Sequence, residues 1–206
     1  MPSIFITLEG PEGSGKSTQA RLLAEALENK GLKVKLTREP GGDPVSEDIR
    51  KILLHGADHS VTERTELLLY LAARAQHTER VIRPSLEEVT VVICARYTDS
   101  TVAYQGYGSG LDLALIHRLN GFATSGLSPD LTFLLDIDVE AGIRRQSQKN
   151  RIERKAVEYH QKVRQGFLEE ARLNPERIIV IDASQDIAVI HQHILKLVAE
   201  RLNTTV

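Results

Sequence analysis

Apolar positions along this chain keep switching between two spacings. Alternation of period two predicts strands over residues 3–8, 32–37, 89–95, 131–136 and 177–182, and spacing near 3.6 predicts helices between them. The first helical stretch, Lys16 to Lys30, places Ala20, Leu23, Ala24 and Leu27 at i, i+3, i+4 and i+7, then meets Gly31 as a stop. That spacing gives one apolar face to lay on a sheet. Strands alternating with helices imply an α/β chain with a parallel sheet and right-handed crossovers, which binds ligands beyond the carboxyl ends of its strands. Residues just after each strand therefore draw the functional reading.

Composition narrows the class. The 206 residues suit one domain, and 41% hydrophobic with 26% charged residues is a globular balance with too much core material for disorder. With 26 Lys plus Arg against 28 Asp plus Glu, the net charge of −2 provides no broad basic field for a nucleic-acid polymer or an anionic membrane. Local phosphate sites stay open. Cys94 is the single cysteine, so neither an intrachain disulfide nor a multi-cysteine metal cage can form. No basic-then-apolar leader and no membrane-length apolar run occurs, which leads us to expect a soluble cytoplasmic protein. Of the seven histidines, only His191 and His193 lie close, and their i, i+2 separation puts them on different helix faces.

The strongest chemical signal follows the first strand. Gly10-Pro11-Glu12-Gly13-Ser14-Gly15-Lys16-Ser17 fits G-x-x-x-x-G-K-[ST] and leads, through Thr18, into the first helix. Glycines let several N–H groups converge on one point, and the helix N-terminus adds its positive dipole end. In such a loop the lysine reaches the β and γ phosphates and the Ser17 hydroxyl holds Mg2+. The motif predicts ATP-type binding over residues 10–18 without choosing between hydrolase and kinase. A plain glycine turn joining strand to helix is the simpler alternative.

Further segments carry a resemblance. They are Leu8-Glu9-Gly10 with the loop, Thr37-Arg38-Glu39-Pro40-Gly41-Gly42, Ala73-Arg74-Ala75-Gln76-His77, Arg96-Tyr97-Thr98-Asp99-Ser100-Thr101-Val102-Ala103-Tyr104-Gln105-Gly106, and a late Arg151-Ile152-Glu153. Spread over nearly the whole chain, they resemble the bacterial thymidylate kinases, nucleoside monophosphate kinases of the P-loop class. The resemblance implies an α/β, three-layer fold with a five-stranded parallel sheet flanked by helices and a short lid. It also implies a homodimer and transfer of the γ-phosphoryl of ATP, with Mg2+, to dTMP. In these terms residues 1–206 form one kinase domain, with a monophosphate-binding region at about 37–77 and a lid at about 144–154.

The residues suit such roles physically. Tyr70 and Arg74 lie four apart in a helical stretch, so one face presents an aromatic plane and a guanidinium fork to a flat base with carbonyl acceptors. The resemblance assigns Tyr70 to stacking on thymine and Arg74 to its edge; a core tyrosine and a surface ion pair are the plainer alternative. Arg38 and Arg96 follow the second and third strands, where paired guanidinium bonds would hold the monophosphate. By resemblance Tyr104 crowds the sugar 2′ position, Gln105 contacts the base, Thr101 belongs to the same substrate set, and Glu12 receives the 3′-hydroxyl. The phosphate loop has no arginine, which matches the class whose catalytic arginine comes from the lid. Among Arg144, Arg145, Lys149 and Arg151, the candidates to act with Lys16 and Arg96 are Arg145 and Arg151. A solvated basic face is the alternative. The basic lid stretch and Thr37 to Pro44 are both expected to be mobile appendages, and Asp182-Ala183-Ser184 either lines the adenine pocket or is a strand-to-helix turn capped by Ser184 or Asp186.

One departure bears on activity. Where the family pattern reads Asp-Arg-aromatic, this chain reads Ala95-Arg96-Tyr97. A methyl group cannot orient the metal's water, so either Ser17, the phosphates and water suffice, or Glu9 substitutes, or the chain turns over slowly. Val89 and Asn150 also depart from common family residues, without a chemical consequence. A catalytically silent nucleotide-binding module and another small-molecule P-loop kinase remain competing readings. A GTPase is disfavoured because no Asn-Lys-x-Asp motif occurs.

Overall fold

The strand β1 (Ile4–Glu9) is buried at every position, as befits a strand covered on both faces. In the computed structural model, which describes residues 3–55, 61–145, 151–153 and 155–202, it is the middle strand of a five-stranded parallel sheet. The order is β2-β3-β1-β4-β5, with β2 Val34–Arg38, β3 Val91–Ala95, β4 Leu131–Asp136 and β5 Ile178–Asp182. The expected strands are therefore present, with ends moved by at most two residues. Because β2 and β3 lie to one side of β1 and β4 and β5 to the other, a crevice opens where β1 ends.

Alternation along β1 builds two cores. Ile4, Ile6 and Leu8 pack with Ala20, Leu23, Ala24 and Leu27 of α1 (Lys16–Glu28) and with Ile190, Ile194 and Val198 of α9 (Ile187–Leu202). Phe5 instead joins Ile82, Val92, Cys94 and Tyr97, its ring meeting that of Tyr97 edge-on at 5.1 Å. The stripe read from the sequence is thus the face that α1 buries, and Gly31, at φ 80°, lies just past the helix end.

The crossover from β2 to β3 carries α2 (Pro44–His55), α3 (Glu63–His77), a π-helical turn at Thr78–Ile82, and α4 (Arg83–Glu88). Thr62 caps α3, accepting the N–H of Thr65. After β3 come α5 (Thr98–Thr101), a π-helical stretch at Val102–Gly108 and α6 (Leu113–Ala123). A short α7 (Val139–Arg144) follows β4, and α8 (Val157–Leu173) returns the chain to β5. The π-helical stretch packs against α8, with Ala103 and Tyr104 sharing a core with Val163 and Phe167. That packing fixes Tyr104 and Gln105 on a rigid support.

The segment 37–44 corrects an expectation. It is a pinned wall and no loose appendage: Glu39 is buried against Arg74 and His77, and Gly42 donates its N–H to Glu47 at 3.0 Å. Of the expected lid, positions 146–150 and 154, which include Lys149 and Asn150, lie outside the described residues.

Candidate active site

Beyond β1 the chain turns through Gly10 and Gly13 at φ 141° and 71°, and at each a side chain would collide with a neighbouring carbonyl, of Leu135 and Gly142 respectively. The loop backbone can approach β4 and α7 this closely only as glycine. At Gly15, α1 begins with no side-chain cap, so the first-turn N–H groups are left for an external acceptor. Lys16 Nζ donates to the carbonyls of Gly10 and Pro11 at 3.0 and 2.7 Å and to Ser14 Oγ at 3.1 Å. Burial foremost, then the charge of Arg96, pushes Lys16 down to about 7, against the pull of Glu12 and Glu9.

One cavity of about 330 Å3 adjoins this loop. Its walls take Glu12, Gly13, Gly15, Lys16, Ser17 and Thr18 from the loop side, and Tyr70, Arg74, Arg96, Thr101, Tyr104 and Gln105 from α3 and the segment after β3. Thus most of the residues singled out from sequence share one space. Gly10, Pro11 and Ser14 form the body of the loop behind that wall, while Glu9, Arg38, Arg145 and Arg151 do not line it.

Arg96 links the two sides. Its backbone sits at φ 72°, a left-handed conformation that a non-glycine residue rarely adopts. The turn is held by Glu9, whose Oε1 accepts the N–H groups of Tyr97 at 2.6 Å and Ser100 at 3.2 Å and whose Oε2 accepts Ser100 Oγ at 2.6 Å. Expected as a stand-in metal ligand, Glu9 is fully buried, does not line the cavity, and has both oxygens accepting from this turn. Arg96 Nη2 donates to Glu12 at 2.7 Å, and its guanidinium lies 5.0 Å over the Tyr104 ring. Burial opposes ionisation of Glu12, but Arg96, Lys16 and the Tyr104 hydroxyl outweigh it and hold the carboxyl below its usual range.

The α3 side of the cavity has a deeper anchor than its spacing alone implies. Arg74 is 2% exposed and donates Nε to Glu39, Nη1 to Thr101 and Asn120, and Nη2 to the Tyr97 carbonyl, all within 2.9 Å. Four of its five N–H groups are therefore internal, which replaces the expected freely presented fork with a rigid donor at the cavity wall. Glu39 also accepts from His77 Nδ1 at 3.0 Å. The sequence around Glu39 does not announce this role, because its partners lie on another element.

At the rim, Arg38 stands beside Ala95 in the sheet register and pairs with Glu47 at 2.8 Å, half-exposed. Arg50 of α2 lines the cavity and was not anticipated; nothing local distinguishes it from the other charged residues of that helix. The two lid candidates are pulled apart. Arg145 donates to the Ala183 carbonyl at 3.0 Å, near the end of β5, whereas Arg151 donates to the Leu53 carbonyl and to Glu66. After β5, Asp182 accepts the Ser184 N–H at 2.9 Å, which makes the segment a strand-to-helix turn ahead of α9.

Comparison with known proteins agrees with this geometry. The thymidylate kinase family profile matches residues 8–194. A thymidylate kinase of Exiguobacterium sp. (strain ATCC BAA-1283 / AT1b) is 48% identical over 205 residues, covering 98% of this chain and 97% of that protein. One of Pseudomonas fluorescens (strain SBW25) is 50% identical over 197 residues, covering 94% of each. The crystal structure of thymidylate kinase from Ehrlichia chaffeensis superposes with a TM-score of 0.79 at 39% identity, covering 96% of this chain and 99% of that one. With a phosphate loop, a buried Arg74 and a linking Arg96 on one cavity, this chain belongs to the thymidylate kinase family, a family of nucleoside monophosphate kinases.

Proposed function

We propose that the chain transfers the γ-phosphoryl group of ATP to dTMP, giving dTDP and ADP for dTTP synthesis, as a single cytoplasmic kinase domain. The observation that carries this is the shared cavity, in which Arg96 lies between the phosphate loop and the Tyr70, Arg74 and Gln105 wall. ATP is held by residues 10–18. Arg96 and Arg50, both on the cavity wall, hold the dTMP phosphate, and Arg38 draws it in from the rim. Tyr70 stacks on the base, Arg74 and Gln105 address its edge, Thr101 braces Arg74, and Tyr104 with Glu12 frames the sugar.

The acceptor oxygen of dTMP is already anionic near neutral pH, since the second phosphate pKa is about 6, so no general base is needed. That oxygen bonds to the γ phosphorus as the bond to the β–γ bridging oxygen breaks, and ADP leaves with the electron pair. Lys16 and Arg96, with Arg145 or Arg151 from the lid, balance the charge on the transferring group. Mg2+, when bound with ATP, supplies further charge neutralisation; Ser17 fits it as the protein ligand, phosphates and water completing the shell.

Ala95 favours one competing reading, a nucleotide-binding module that is catalytically silent. By analogy with removing one electrostatic group from an active site, its methyl is expected to cost about 10^2 to 10^3 in rate. Initial rates of dTDP formation on this chain and on Ala95→Asp decide the matter. A rate in both establishes the kinase, a rate in the variant alone marks an impaired one, and none in either, with dTMP still binding, supports the silent module. UMP or CMP as the better acceptor would point to another P-loop kinase.

A homodimer is proposed as the working unit. Leu68 of α3 with Leu115 and Phe122 of α6 are exposed apolar side chains on neighbouring helices, Phe122 at 84%. Among the described residues no helix is long and apolar enough to cross a membrane.

A further inference from the structure

Glu66 lies on α3 one turn before Tyr70, and its side chain is 1% exposed. Its carboxylate is a junction. Oε1 accepts Gln105 Nε2 at 2.8 Å and has Lys155 Nζ at 3.7 Å, while Oε2 accepts Arg151 Nη2 at 2.5 Å. Arg151 and Lys155 provide the positive partners that a buried carboxylate requires.

The Gln105 contact has a direction. A carboxylate offers acceptors alone, whereas a carboxamide has one donor end and one acceptor end. Glu66 therefore takes the amino end, and the carbonyl Oε1 is left for the cavity that Gln105 lines. No described residue donates to that oxygen. Arg74, on the same wall, is a donor only.

We infer that Glu66 is a specificity-positioning residue: through Gln105 it holds an acceptor toward the base edge, selecting pyrimidines with an N3–H and a 4-oxo group over those with a bare N3 and a 4-amino group. A cytosine would set its own N3 acceptor against Oε1 and its amino group against Arg74, leaving buried groups unpaired. The inference rests on the proposed dTMP site and adds the residue that sets its polarity. Arg151 and Lys155 tie the same carboxylate to the segment entering α8, so base reading and lid share one anchor.

The test is calorimetric titration of dTMP and dCMP into the full chain and into Glu66→Gln, which needs no turnover. A glutamine at 66 can present its own amino group and let Gln105 turn over. The expected result is a fall of about tenfold or more in the dTMP-to-dCMP affinity ratio, with no further fall when Glu66→Gln is added to Gln105→Met. Equal weakening of both nucleotides overturns the inference and makes Glu66 a packing residue only. In the unmutated chain, N3-methyl-dTMP is expected to bind at least about tenfold more weakly than dTMP. Equal affinity there overturns the inference even if the variant does not fold. Absence of dTMP preference in the unmutated chain removes the dTMP site itself, a separate failure.

Discussion

Arg96 Nη2 and Glu12 Oε1 meet at 2.7 Å, and the same oxygen accepts the Tyr104 hydroxyl at 2.8 Å. The Arg96 guanidinium is thus held by a loop residue 84 positions earlier in the chain. Tension between burial and charge runs through the whole site.

Glu12→Gln leaves a mostly buried guanidinium without its counter-charge. We expect a loss of about 1–3 kcal/mol in denaturant unfolding, together with a higher KM for dTMP. Because the Glu12 carboxyl titrates below its usual range in the folded protein, the wild-type advantage is complete above the ordinary glutamate pKa. It fades as pH falls through the lowered value. Equal stability of the two proteins at pH 7 would show the pair to be dispensable.

Arg74→Lys keeps the charge but loses the fork that reaches Glu39, Thr101, Asn120 and the Tyr97 carbonyl. With the site 2% exposed, water cannot repair the loss, and the expected destabilisation is about 3–5 kcal/mol. A thermal unfolding midpoint matching wild type would contradict this.

Lys16 provides a proton-linked signature. Burial and Arg96 push it down to about 7, so above that pH it is largely neutral in the free protein. The phosphates of bound ATP favour the ammonium form, and binding at pH 7.5–8.5 should take up a proton. Calorimetric binding enthalpies in buffers of differing ionisation heat measure this uptake, which Lys16→Met is expected to abolish.

Glu9 is pushed up to about 7, by burial foremost and then by Asp99, against Ser100, Arg96 and the Tyr97 N–H. An unfolded glutamate titrates at about 4.5, so between the two values the folded protein holds a proton that the unfolded chain has released. Stability from this group is therefore present at low pH and lost as pH rises from about 4.5 to about 7. In Glu9→Gln the unfolding free energy should be flatter across that window; an unchanged slope would assign it to other carboxyls.

Much of this was legible along the chain. The strands, the apolar stripe of α1 and the stop at Gly31 follow from local periodicity and backbone freedom, and the folded chain keeps them nearly residue for residue. The phosphate loop was legible for the same reason: its glycines, lysine and serine act as neighbours in a bonded run. The bonds of Glu9 to Tyr97 and Ser100 were not legible because these partners come from another strand end, 88 and 91 positions away. Arg50 and Glu39 escaped notice because nothing in their own segments distinguishes a cavity wall from a solvated face.

What the sequence alone determined is therefore the set of elements and the chemistry carried by contiguous motifs, since spacing along a strand, turn or helix is fixed by covalent geometry. The order of the strands and the packing of α3 and α8 on the segment after β3 decided everything that depends on two distant groups. They set Arg74 on Glu39 across 35 positions and Gln105 on Glu66 across 39. The polarity of a buried carboxamide and the ionisation of a buried lysine depend on which charges lie within a few ångströms. Only the folded sheet brings those charges together.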